Sequence, residues 1–225
     1  MARAEAWLLE PPERGAALPL PPIPPRPVVV VRGLARGCGA SAVARALAAS
    51  LARHDPAGAA VVVGGPSGNG PRIGASAAVR VARALASAGC AGARASGRVC
   101  LIADADPLAA AVERSDVPVV IDVGHASPPA EGLGHADLVV LVASPGVEGS
   151  LVDAVEASLV AAGHVVEVVV NRVEPDDLRD AARAGRLLIG ESRLAAQLAL
   201  ACREARGPFA TPIAELAERC RAAAP

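Results

Sequence analysis

The sequence predicts a doubly wound α/β domain, a mostly parallel sheet with helices on both faces, running from Val28 to the end of the chain. Three observations carry that expectation. Branched apolar runs such as VVVV at 28–31, AVVV at 60–63 and LVVLVA at 138–143 suit strands covered on both faces. Between them lie alanine- and leucine-rich stretches whose apolar residues recur at helical spacing. Runs and stretches alternate to the C-terminus, and a strand that repeatedly feeds a helix closes into a parallel sheet.

In order, the chain reads as strand 28–31, helix to 53, strand 60–63, helix 76–88, strand 98–102, a short helix at 108–113 and strand 117–122. Strand 138–143, helix 150–162, strand 165–170, helix 175–184, strand 187–189 and two closing helices at 192–205 and 212–223 complete it. Local signals support the helices. Ser150 with Asp153 has the form of a capping box, Thr211 before Pro212 suits a cap and first turn, and Gly207 with Pro208 suits a stop for the preceding helix. The segment 1–27 is different in kind. Its PPERGAALPLPPIPPRP portion cannot ladder into helix or sheet and reads as an extended, proline-rich or disordered tail, either a plain spacer or a ligand for an SH3-like partner.

Composition narrows the function. The chain has 225 residues, is 52% hydrophobic and carries a formal net charge of −1, enough for one well-buried domain and without the basic excess that nucleic acid or anionic membrane would demand. With one Trp, one Phe and no Tyr, it offers no aromatic platform for stacking bases, so sequence-specific nucleic-acid reading is not expected. The five cysteines are scattered and form no C-x-x-C pair, which argues against a disulfide framework or a zinc site and for a reduced, cytoplasmic compartment. No apolar run reaches the roughly 20 residues of a transmembrane segment.

The richest stretch is 28–51, VVVVRGLARGCGASAVARALAASL. Gly33, Gly37 and Gly39 let backbone N–H groups approach an anion, Ser41 opens the helix, and Val43, Leu47 and Leu51, with Ala44 and Ala48, give it a core-facing stripe. Against G-x-x-x-x-G-K-[ST], Gly39 and Ser41 fit, Ala40 stands at the lysine position, and Leu34 takes the place of the first glycine, which falls one residue early at Gly33. The chain contains no lysine at all. Cys38 lies inside the loop as a small side chain, one whose thiol the helix N–H groups could also acidify.

In a parallel sheet, ligands gather at the carboxyl ends of the strands. There, Asp122 closes the apolar run VPVVID, either as an acid that holds a Mg²⁺-bound water or as a cap for the following turn. His125, just beyond, reads as a loop residue. Asn171 and Arg172 close another strand, where an amide could bond a purine edge and a guanidinium could stack on its ring. Asp104 and Asp106, in DADP, read as a helix cap.

Taken together, GCGAS, VVIDVG, ADLVVLVASPGVEGSLVDA, VVVNRV and LLIGES, in that order, resemble the MinD/ParA family of deviant P-loop ATPases, and GCGASAVA is most similar to its TadZ/CpaE branch, associated with pilus assembly. The resemblance implies a P-loop NTPase-like fold and an ATP/ADP site with Mg²⁺. It implies phosphate contacts from Arg36, Gly37, Cys38, Gly39, Ala40, Ser41 and Ala42, base contacts from Asn171, Arg172 and the turn at Gly190, and Mg²⁺ held through water by Ser41 and by Asp122, the catalytic acid. It also implies a homodimer acting with pilus or secretion machinery as a positioning factor.

Two departures set the expected chemistry. The signature lysine of that family would fall at Ala35 or Arg36, and only Arg36 is cationic, with a planar fork in place of a point charge. The strand at 60–63 runs into glycines in place of D-x-D-P-Q. Nucleotide binding with weak or no hydrolysis is expected, the alternatives being a nucleotide-free dimeric scaffold and a weak ATPase that uses Arg36.

Overall fold

The computed structural model describes residues 26–64, 77–87, 92–102, 116–125, 136–174 and 185–224. Eight strands build one sheet: β1 (Val28–Gly33), β2 (Ala60–Gly64), β3 (Arg94–Ser96), β4 (Val99–Ile102), β5 (Val119–Gly124), β6 (Leu138–Ala143), β7 (Val166–Val173) and β8 (Leu187–Gly190). Their order is β3-β4-β2-β5-β1-β6-β7-β8, and every adjacent pair is parallel except β3 with β4. The helices are α1 (Ala40–His54), α2 (Ala77–Ser87), α3 (Gly149–Ala161), α4 (Arg193–Leu200) and α5 (Ala210–Ala223), with a 3-10 turn at Gly207–Phe209.

Strand alternation divides the core in two. Val29 and Val31 of β1 face a layer built by α1, α4 and α5, while Val30 faces the layer of α2 and α3. Both faces are therefore covered, which is why the strands tolerate unbroken apolar runs. The stripe expected for α1 is buried, with Val43 and Leu47 fully enclosed and Ala44 and Ala48 beside them. Arg45, on the same helix, is only 3% exposed, and its Nη1 donates 2.7 Å to the Leu200 carbonyl at the end of α4. A cation there complements the negative end of that helix. Sheet order begins slightly before β1: the Pro27 carbonyl accepts from Val119 N–H, and Arg26 pairs with Asp55 and Asp116.

Several local expectations need correction. α3 starts at Gly149 with Glu148 in the cap position and no side-chain cap, and Asp153 is ion-paired with Arg186, so Ser150 and Asp153 form no capping box. The helix expected at 192–205 ends at Leu200, where Cys202 takes φ +53 and its N–H bonds back to Ala199, so Gly207 and Pro208 begin the next turn and do not stop this one. Thr211 lies within α5, whose cap position is Phe209. The β3–β4 hairpin was absent from the sequence reading, which placed one strand at 98–102; the chain turns instead at Gly97, φ +59. The tail up to residue 25, the helices expected at 108–113 and 175–184, and Asp104 and Asp106 lie outside the described residues.

The cysteines Cys38, Cys100, Cys202 and Cys220 are buried, and none of them is in a disulfide. Burial, with a smaller contribution from Glu167, pushes the Cys220 thiol on α5 up from 9.0 to about 12. A raised acid favours the folded state while it stays protonated, so this contribution is complete below pH 9.0 and is lost as pH climbs toward 12. We expect stability to fall by an amount on the order of a few kcal/mol across that window. Cys220→Ala should flatten the alkaline limb of a melting-temperature profile, and equal limbs in both proteins would refute the assignment.

Candidate functional site

β1 delivers the glycine turn to the carboxyl edge of the sheet, and Leu34 N–H ties the turn to Val142 of β6 at 2.9 Å. Gly37 and Gly39 take φ of +80 and +89, values a side chain rarely permits. A Cβ at Gly37 would meet nothing within 4 Å, so that face of the loop is open. Cys38 turns inward: it is 3% exposed, and its sulfur would be 2.7 Å from a Cβ at Gly33. Gly39 is the N-cap of α1 and its carbonyl starts the helix, accepting from Ala42 and Val43. The first N–H groups of α1 have no intrahelical acceptor, no side-chain cap and no acid in the first turn. They open onto a cavity of about 300 Å³ lined by the glycine turn, Ala40, Ser41 and Ala42.

Asn171 braces this loop. It is 3% exposed at the end of β7, and its Nδ2 donates 2.8 Å to the Cys38 carbonyl. The reach is possible because β7 continues to Val173 through a register shift in which Arg172 takes φ +64 and projects to solvent beside the cavity. Of the expected site residues, Gly37, Cys38, Gly39, Ala40, Ser41, Ala42, Asn171 and Arg172 line one cavity. Arg36, Asp122 and Gly190 do not. Arg36 is exposed, and Gly190 is buried with its Cα face against Pro208, where a Cβ would come within 3.2 Å.

Asp122 lies two residues before Gly124, which lines the cavity. Its strand partners are Val31 and Gly64, and it shares a face with Val120, the face α1 covers. It is 4% exposed. Oδ1 accepts from Gly124 N–H at 3.2 Å, while Oδ2 is buried with no hydrogen-bond partner. A buried carboxylate oxygen without a donor is costly. The cavity also takes in His125, Ser192, Arg193 and Phe209, of which the sequence pattern marks His125 only as a loop residue and gives no signal for Arg193. Ser192 is the N-cap of α4, its Oγ accepting from Ala195 N–H, and that cap is the sequence signal that would have found the α4 wall.

The site's fit to a nucleotide with Mg²⁺ rests on two features of this geometry. The glycine cradle and the free N–H groups of α1 suit an anionic phosphate, and the unpartnered Asp122 Oδ2 with the Ser41 hydroxyl suits a hydrated cation. Among the described residues no cluster of three His, Cys, Asp or Glu side chains could hold a metal directly.

Solved structures share this architecture. A ParA family ATPase from Chlorobium tepidum is 17% identical over 86% of this chain and 99% of that one, with a TM-score of 0.57. MinD in its MinC complex from Aquifex aeolicus is 15% identical over 86% and 94%, at 0.59. The ATP complex of a McdA variant from Cyanothece is 17% identical over 87% and 96%, at 0.53. No family model matches the chain, and no curated protein does. The fold is therefore the P-loop NTPase-like α/β fold of the ParA/MinD ATPases, and no helix among the described residues is long and apolar enough to cross a membrane.

Proposed function

We propose that the chain is a nucleotide-binding protein of MinD/ParA type with a degenerate phosphate loop, acting as a positioning or assembly factor with weak or no ATP hydrolysis. The observation that carries this reading is the open glycine cradle at the start of α1, with the buried, unpartnered Oδ2 of Asp122 on β5, the strand beside β1. In it, N–H groups of Gly37, Gly39, Ala40 and Ser41 hold the β-phosphate region of ATP or ADP. Asp122 and Ser41 orient water on Mg²⁺, which supplies charge neutralisation of the phosphates when bound. In this reading Arg172 and Glu191, which line the cavity, contact the base, and Asn171 holds the loop in shape.

Weak hydrolysis follows from what is missing. Ala40 contributes a methyl where a phosphate-contacting lysine belongs, and Arg36 is exposed and does not line the cavity. Loss of such a donor to a transition-state charge costs roughly 3 to 4 kcal/mol. The finer part of the proposal is a homodimer that serves pilus or secretion machinery in the cytoplasm, resting on the GCGASAVA resemblance to the TadZ/CpaE branch. The second reading is a scaffold that binds no nucleotide.

Ala40→Lys tests the cradle. Ala40 is 7% exposed and lines the cavity, so a lysine there extends toward the phosphates. A restored charge-assisted hydrogen bond is worth roughly 1.5 to 3 kcal/mol, and calorimetry should find ATP bound about ten- to a hundredfold more tightly. Unchanged affinity, or no binding in either form, would show that this loop holds no phosphate.

A further inference from the structure

A second cavity, of about 490 Å³, lies at the opposite end of α1 from the glycine loop. It belongs to the amino edge of the sheet. Four segments meet there: the last turn of α1 with Arg53 and His54, the β3–β4 turn with Arg98, the stretch after α4 with Cys202 and Arg203, and the start of α5. None of these residues lines the loop cavity.

One wall is apolar, built from Ala205, Ala210 and Ala214. The other is cationic. Glu204 is the single carboxylate among the lining residues, and it is taken up by Arg53. Arg98 and Arg203 are exposed at the mouth, and among the described residues neither has a carboxylate in ion-pairing range. Positive charge also backs the wall. Arg45 ends on the Leu200 carbonyl, and Arg94 shares the α1 face of the hairpin with Ser96, its Nη2 buried without a hydrogen-bond partner. The fields of both reach the Cys202 thiol, which forms part of the cavity surface.

Guanidinium groups gathered at the mouth of one cavity repel one another, and an anion between them relieves that repulsion. Their fork geometry matches phosphate oxygens two at a time. The cavity has the volume of a small-metabolite site, and its apolar wall provides a bed for an organic body. We infer that this second cavity binds a small phosphorylated metabolite, with the phosphate held by Arg98 and Arg203 and the organic portion packed on Ala205, Ala210 and Ala214. The proposal is independent of the loop cavity.

Phenyl phosphate is the probe, titrated calorimetrically into the full chain and into the double variant Arg98→Gln/Arg203→Gln. Both side chains are exposed, so their replacement leaves the core untouched. The expected result is saturable binding to the wild type that weakens at least about tenfold in the variant, with ATP affinity the same in both proteins. Equal phenyl phosphate affinity in the two proteins overturns the proposal, because the anion then sits elsewhere. So does the absence of binding to the wild type up to about 5 mM, or an equal loss of phenyl phosphate and ATP in the variant.

Discussion

Gly39→Ala is expected to lower the melting temperature by on the order of 5 to 15 °C and to abolish measurable ATP binding. Two costs add at this position. The backbone φ of +89 is one that alanine adopts only under strain, worth roughly 1 to 2 kcal/mol. The new Cβ would also lie 2.2 Å from Asn171 Nδ2, which must then leave the Cys38 carbonyl it now bonds. A buried amide that loses its partner costs about 1 to 3 kcal/mol. Because Asn171 holds the loop closed against β7, displacing it also opens the cradle. The two costs are separable by a double-mutant cycle with Asn171→Ala, which removes the clash and leaves the strain. The pair should lose less stability than the sum of the single changes. Strict additivity would show that Asn171 and Gly39 do not interact as the geometry requires.

The sheet was legible in the sequence because its strands are continuous apolar runs, and 138–143 as read coincides with β6. The same clarity held for α1, whose stripe of Val43, Leu47 and Leu51 is the buried one. Legibility failed where tertiary contacts decide. β3 is three residues long, half-buried and starts on an arginine, so no local pattern separates it from a loop. Gly207 and Pro208 have strong stop character, yet α4 ends seven residues earlier, at Leu200, where Arg45 of α1 meets its last carbonyls. At the site, the glycine turn and Asp122 were visible because glycine spacing and a terminal acid are local signals. The contact from Asn171 to the Cys38 carbonyl was not, since it joins residues 133 apart through a bulge that no sequence pattern marks.

Asp122 gives the second large effect, and it separates a binding protein from a scaffold. In the ligand-free protein, Asp122→Ala removes one hydrogen bond to Gly124 N–H and, with it, a buried oxygen that has no donor. These changes oppose each other, each on the order of 1 kcal/mol, so the melting temperature without ligand should move little. With MgATP the two proteins should part. A ligand that binds only the folded state adds about 2.7 kcal/mol at a hundred times its Kd, which for a domain of this size is a rise of roughly 5 to 10 °C. If Asp122 orients water on Mg²⁺, the wild type gains this rise with MgATP and much less with ATP and a chelator, while Asp122→Ala shows the same small gain in both. A cap for the following turn behaves otherwise: its loss lowers stability by about 0.5 to 2 kcal/mol whether or not Mg²⁺ is present. A wild-type melting curve that several millimolar MgATP leaves in place would remove the nucleotide from this site altogether, and the fold would then serve as a scaffold.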